Sequence, residues 1–246
     1  MPRQARAALR MLRLVAHILA GLGTVLLRFP RLPAGQRQAR VQAWQRELLA
    51  CMGVTLQVRG MPPVQGPVLL VANHISWLDI PVMHAARHCR FISKSDVKGW
   101  PLLGRLATAA GTLYIERSSR RDARRMVQTM QQALADGDVL AVFPEGTTGD
   151  GHTLLPFHAN LLQAAVEGDA PVQPVGLRFI DGATGQISQA ASYIGDESLV
   201  GSLWRTLCAD GVVAVVHYGA PQHAQGRDRR VWSEALRQEV DVLRRS

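Results

Sequence analysis

Cysteine is scarce and isolated in this sequence. Its three residues, Cys51, Cys89 and Cys208, show no CxxC spacing. That excludes a disulfide framework and a thiolate metal cluster, and reads as reduced, buried, small apolar residues in a cytosolic compartment. The eight histidines form no HExxH or HxH pattern, so no metal site is expected. Aromatic residues make up only 5% of the chain, and no RNP-like, C2H2 or helix-turn-helix signature occurs. Nucleic acid is therefore not an expected partner. There is no GxSxG elbow and no cysteine in a reactive setting, which removes the usual covalent nucleophiles. Internal repeats and low-complexity stretches are absent too.

Acidic residues are also few. Against 28 Lys and Arg stand 19 Asp and Glu, giving a formal charge of +9 and a pI near 10.6. Such a balance calls for an anionic partner, and with nucleic acid set aside it points to an acidic membrane surface or a phosphorylated substrate. The 246 residues suit one globular domain with a small appendage.

What is present begins with an apolar run at residues 14–27, broken only by His17, two glycines and Thr24. It falls short of the roughly 20 residues that a bilayer crossing needs. A signal peptide is the plainer alternative, but Arg28-Phe29-Pro30-Arg31 follows where a small-residue cleavage site belongs. At about 100° per residue, Arg3, Arg6, Arg10, Arg13, His17, Thr24 and Arg28 share one stripe. A helix lying in the headgroup plane has use for such a stripe; a spanning helix has none. Arginines flank the run on both sides, so the positive-inside rule selects no orientation. A second amphipathic helix is expected with Val41, Trp44, Leu48, Leu49 and Met52 on one face, after a turn at Pro30 and Pro33-Ala34-Gly35. Residues 1–52 are thus expected to form an amphipathic helical membrane anchor, with a single short span as the competing reading.

Residues 53–246 read as an α/β domain. Strands are expected near 55–58, 68–72, 89–93, 111–116, 139–143, 172–179 and 212–218. Helices are expected near 76–88, 119–136, 161–166 and 229–245, the first two opened by the capping pairs Ser76/Asp79 and Ser119/Asp122. Strands alternating with helices give a mainly parallel central sheet flanked by helices.

Four motifs carry the chemistry. Asn73-His74-Ile75-Ser76-Trp77-Leu78-Asp79 sets an imidazole and a carboxylate five residues apart, directly after an apolar strand. With His74 in the loop and Asp79 in the first helical turn, the carboxylate can accept from Nδ1 and leave Nε2 free as a base. The bland alternative is a capping Asp79 beside an ordinary loop histidine. Lys94-Ser95-Asp96-Val97, with Pro101 and Gly104 behind it, suits a loop covering an anionic or lipid ligand, or a solvated surface loop. Gly111 through Arg117 places a guanidinium just before a capped helix start, where free N–H groups favour phosphate; it equally fits a basic face with Arg120, Arg121, Arg124 and Arg125. Phe143-Pro144-Glu145-Gly146-Thr147-Thr148 follows a buried strand. Its carboxylate can hold a polyol hydroxyl or position the loop through backbone N–H groups.

Taken together and in this order, the blocks resemble the glycerolipid acyltransferase family, typified by 1-acyl-sn-glycerol-3-phosphate acyltransferase, from about residue 68 to 175. Pro171-Val172-Gln173-Pro174-Val175 matches its last block. Tyr114 and Glu116 stand where Phe and Asp are usual; Thr148 and His158 stand where Arg and Lys are frequent. The resemblance implies a catalytic pair, His74 and Asp79. It further implies acceptor binding by Asn73, Lys94, Arg117, Glu145, Gly146 and Thr147. It implies acyl transfer from acyl-CoA or acyl-carrier protein, with no other cofactor, to the free hydroxyl of a lysophospholipid. The first expectation is 1-acyl-sn-glycerol-3-phosphate, giving phosphatidate. The two missing cations admit another lyso-lipid, such as lyso-ornithine lipid. The expected location is the cytoplasmic face of the inner membrane. An acyl thioesterase using the same pair on water, and a non-enzymatic basic protein, are the rival readings.

Overall fold

The computed structural model describes residues 2–116 and 119–246. Two helices open the chain, α1 (Arg3–Leu27) and α2 (Ala34–Met52), followed by β1 (Val54–Arg59) and β2 (Val68–Ala72). Then come α3 (Asp79–Ala86), β3 (Arg90–Lys94), α4 (Leu103–Ala109), β4 (Leu113–Ile115), α5 (Arg120–Ala135) and β5 (Val139–Val142). The chain ends through α6 (Gln163–Glu167), β6 (Val172–Asp181), α7 (Leu199–Cys208), β7 (Val212–Tyr218) and α8 (Arg229–Arg245).

The strands form one seven-stranded sheet in the order β1-β7-β6-β2-β5-β3-β4. Neighbours pair parallel except β6 with β7. The mainly parallel sheet expected from the sequence is therefore present. Its five strands from β6 to β4 run one way, so the segments after β2, β3, β4 and β5 all leave from a single edge. That edge collects the four motifs.

Period two explains the two cores. Val68, Leu70 and Ala72 of β2, with Val139 and Ala141 of β5, join one cluster with residues of α1, α2, α3 and α7. Leu69, Val71, Leu140 and Val142 point the other way, into a cluster with α5, α6 and α8. Strands covered on both faces need continuous apolar side chains, which is why these runs show no alternation.

Two expectations about the amino terminus change. The apolar face of α2 is turned inward: Leu48, Leu49 and Met52 are buried in the main core, and Val41 packs with Phe29 and Ala110. It does not form half of a membrane-facing pair. The polar stripe of α1 also meets protein. Arg10 donates to Leu207 O and Ala209 O, Arg3 donates to Cys208 O, Arg6 pairs with Asp210, and His17 Nε2 donates to Trp44 O. The stripe borders a docked seam of Ala7, Leu14, Gly21 and Leu22. Only the opposite face of α1 stays apolar and exposed, through Leu9, Leu12, Val15, Leu19, Leu26 and Leu27.

Candidate active site

Strand β2 ends at Ala72, in the centre of the sheet, and delivers Asn73 and His74 to its carboxyl edge. The chain then turns sharply: Leu78 N–H donates to Ser76 Oγ (3.1 Å), and Asp79 N–H to Ser76 O (3.1 Å). The helix proper starts at Asp79, capped by Leu78 with no side-chain cap bond; of the expected capping box only the bond from Ser76 N–H to the Asp79 carboxylate is made, and Ser76 Oγ takes Leu78 N–H instead. Asp79 reaches back over this turn. Its Oδ2 accepts from Ile75 N (2.6 Å), Ser76 N (2.9 Å) and His74 Nδ1 (2.8 Å). Asp79 is fully buried, and its Oδ1 has no hydrogen-bond partner among the described residues.

These bonds fix the imidazole. A carboxylate only accepts, so Nδ1 carries a proton, and in the neutral ring the lone pair is then on Nε2. The ring stacks on Phe143, centroids 4.0 Å apart and planes 6° from parallel, and Phe91 stacks behind at 5.5 Å. The His74 side chain remains 18% exposed. One fixed tautomer, one aromatic backing and one open nitrogen make a group able to take a proton from an approaching hydroxyl.

Glu145 arrives from β5 by a tight turn, Gly146 N–H donating to Phe143 O (3.1 Å). Gly146 has φ +72°, and a Cβ there would lie 3.1 Å from the His158 ring. Glu145 Oε1 accepts from His74 N (2.7 Å) and Oε2 from Leu155 N (2.8 Å). Burial pushes its carboxyl above the ordinary range, against the pull of those two N–H donors. Of the two roles open to this carboxylate, the structure selects loop positioning; both oxygens are taken, and the residue is buried. It does not face an acceptor.

Asn73 departs from expectation in the same way. Its Nδ2 donates to Leu177 O (3.0 Å) and its Oδ1 accepts from Leu177 N (2.7 Å), both on β6. The residue is only 2% exposed. Its amide clamps the loop to the sheet, and the side chain is buried away from any substrate.

The remaining motif residues stand at the rim. Lys94 ends β3, exposed, its side chain without a hydrogen bond or ion pair among the described residues. Gly146 and Thr147 are exposed. Arg117 lies outside the described residues, just beyond β4, whose Ile115 pairs with Lys94. The motifs gave no notice of the residues that bind them together. Tyr193 N–H donates to Ile75 O (3.3 Å), while its carbonyl accepts from Thr148 Oγ1. Trp77 Nε1 donates to Ser202 Oγ (3.1 Å), and Arg244 donates to Gly151 O and His152 O. All lie more than 40 residues from their partners, where no local pattern reports them.

Comparison with known proteins adds to this geometry. A family model described as Acyltransferase matches residues 54–178. The chain is 38% identical to a lyso-ornithine lipid O-acyltransferase of Pseudomonas aeruginosa, over 97% of this chain and 92% of that one. It is 36% identical to a 1-acyl-sn-glycerol-3-phosphate acyltransferase of Neisseria meningitidis, over 80% and 78% of the two chains. The crystal structure of a 1-acyl-sn-glycerophosphate acyltransferase from Thermotoga maritima shares the fold, with a TM-score of 0.70 at 20% identity over 100% of this chain and 99% of that one.

Proposed function

This chain belongs to the acyltransferase family, and from that premise we propose that it acylates the free hydroxyl of a lyso-lipid at a membrane surface, His74 acting as base and Asp79 as its orienting acid. The observation that carries this reading is the 2.8 Å contact from His74 Nδ1 to Asp79 Oδ2, with Nε2 unpartnered among the described residues.

The acceptor hydroxyl gives its proton to Nε2 as its oxygen attacks the thioester carbonyl of acyl-CoA or acyl-carrier protein. The new ester forms as the carbon–sulfur bond breaks, and the leaving thiolate takes the proton back from Nε2, which restores the neutral base. Such general-base action is worth roughly 10²–10⁴ in rate; positioning of both substrates supplies much of the rest. Asp79 steadies the imidazolium that forms. Lys94, Gly146 and Thr147 at the rim, with Arg117 next in the chain after the β4 edge, are the candidates to hold the acceptor head group.

The first acceptor is 1-acyl-sn-glycerol-3-phosphate. A second, lyso-ornithine lipid, has its own support: the relative of that name matches nearly the whole chain, and Thr148 and His158 replace cations frequent in the family. Residues 1–52 attach the 53–246 catalytic unit to the membrane through the exposed apolar face of α1 alone, α2 being packed into the core. The 25-residue α1 is long and apolar enough to cross a bilayer, but one whole side of it is docked, which favours lying in the plane of the cytoplasmic leaflet.

The test is purified protein in vesicles with each donor and a panel of lyso-lipids, read by lipid mass spectrometry. Acyl transfer that depends on a lyso-lipid and vanishes in His74→Ala supports the reading. Fatty acid release without acceptor would establish the thioesterase instead.

A further inference from the structure

Helix α7 carries a polar inner face that the proposed chemistry does not use. Ser202 is fully buried in mid-helix, a position where a hydroxyl is unfavourable unless hydrogen-bonded and where alanine would fit as well. Its Oγ is occupied twice: it accepts from Trp77 Nε1 (3.1 Å) and donates to Ser192 O (3.2 Å). One turn later Thr206 Oγ1 lies 3.0 Å from Ala190 O and 2.9 Å from Ser202 O. Arg205, paired with Glu197, also donates to Ala190 O and Ser192 O. The segment so held presents Tyr193, whose N–H bonds Ile75 O and whose carbonyl receives Thr148 Oγ1. Both loops of the site, the one bearing His74 and the one after Glu145, therefore end on groups that α7 fixes. Trp77 itself sits between His74 and Asp79.

The other end of α7 belongs to α1. Arg10 donates to Leu207 O (2.8 Å) and Ala209 O (2.7 Å), and Arg3 donates to Cys208 O (2.8 Å). These carbonyls have no partner within the helix, and a cation there is favoured by the helix dipole. The Arg10 guanidinium lies so close over Gly53, the left-handed end of α2, that a Cβ would fall 2.1 Å from it. A chain of hydrogen bonds thus runs from α1, through α7, to the turn holding the imidazole.

We infer that Ser202 is a positioning residue for acyl transfer, setting the His74–Asp79 turn through Trp77, and that Arg10 holds Ser202 in register from α1. The inference rests on the acyl-transfer reading. Because the bond acts on placement of the base and not on either substrate, its loss lowers kcat and leaves KM for donor and acceptor unchanged.

The experiment uses the full chain in vesicles of phosphatidylethanolamine and phosphatidylglycerol, with Trp77→Phe, Ser202→Ala, their double variant, Ser202→Thr, Arg10→Gln and His74→Ala. Thermal unfolding is followed on each. Trp77→Phe keeps an aromatic ring at the position but loses the donor, together with part of the indole volume. We expect kcat to drop about tenfold in Trp77→Phe and in Ser202→Ala, a cost in keeping with the sensitivity of rate to small misplacement. The double variant falls no further than Ser202→Ala alone, because the Trp77–Ser202 bond is already absent in each single variant, and Ser202→Thr restores the rate. Arg10→Gln lowers kcat in the same direction without releasing the protein from vesicles. Full kcat in Trp77→Phe, additive losses in the double variant, or a loss confined to KM overturns the inference. If Ser202→Ala does not fold, Trp77→Phe and Arg10→Gln decide it alone. Transfer surviving in His74→Ala instead defeats the underlying reading, and so separates the two failures.

Discussion

Glu145 and His74 meet through the backbone and not through the ring: Oε1 of the carboxylate accepts the His74 amide N–H at 2.7 Å. The same carboxylate holds Leu155 N–H with its other oxygen. One buried charge therefore ties the base-bearing loop to the loop opposite, and both loops depend on it.

Removing that charge leaves two N–H groups without their acceptor. We expect Glu145→Ala to cost about 2–3 kcal/mol of stability, the usual penalty for losing bonds to a buried charged group. Glu145→Gln keeps one acceptor and sets an amide N–H against Leu155 N–H. Its pH behaviour is the sharper test. Burial raises the Glu145 carboxyl above its ordinary 4.5. Between 4.5 and the raised value the folded protein binds more protons than the unfolded chain, so stability falls as pH rises through that window. Glutamine cannot titrate. The wild-type stability, minus that of Glu145→Gln, should decline as pH rises from 4 and then level off, measured by urea unfolding. A flat difference would show that the carboxylate is not shielded from water.

Asp79→Asn probes the other carboxylate. Oδ2 has three donors, and Oδ1 is buried without a partner among the described residues. The amide oxygen takes over the three donors, and the amide nitrogen occupies the unpartnered place. The turn is preserved at about 1–3 kcal/mol for the unsatisfied N–H. The imidazolium loses its counter-charge, so kcat should fall on the order of a thousandfold, within the range that general-base catalysis supplies. Acyl-transfer kinetics alongside circular dichroism checks both halves; a folded variant with full kcat would leave Asp79 a purely structural cap.

Much of this was legible in the chain, for physical reasons. Val68–Ala72 and Val139–Val142 announce themselves because a strand covered on both faces must be apolar throughout. Ser119 as a cap is a local signal, and its Oγ accepts Asp122 N–H as expected. The short helices α4 and α7 went unmarked: seven and ten residues carry too few turns for a periodic stripe to stand out. The α2 stripe was legible as apolar, but a stripe says only that the face is buried and not against what. Asn73 and Glu145 were legible as site residues. Their roles were not, because their partners Leu177 and Leu155 are set by tertiary contacts.

The membrane reading has its own test in α1. Deleting residues 1–52 would tear Leu48, Leu49 and Met52 from the core and unfold what remains. Leu12, Leu19 and Leu26 face outward, 69%, 58% and 60% exposed, so changing them leaves packing intact. Each leucine withdrawn from acyl chains forfeits up to about 1.5–3 kcal/mol. The triple Leu→Ser variant should therefore partition into anionic vesicles at least about a hundredfold more weakly, with an unchanged unfolding temperature. Undiminished sedimentation with vesicles would place the attachment elsewhere.

His84 sets how the fold answers acid. It is fully buried beside His88, edge-on to Phe91, and its Nδ1 has no partner among the described residues. Burial, with repulsion from His88 added, pushes its pKa from 6.5 down to about 3. The folded protein thus refuses a proton that the unfolded chain accepts below pH 6.5. The neutral ring's contribution is complete above that value and is lost as pH falls toward 3. At pH 5 the loss amounts to about 2 kcal/mol. His84→Leu, of similar size and without a proton to bind, removes that share of the acid sensitivity. Urea unfolding at pH 8 and pH 5 should show a smaller drop for the variant, by about 2 kcal/mol. An equal drop in both proteins would mean that the ring is protonated inside the fold and that His88 or another neighbour accommodates the charge.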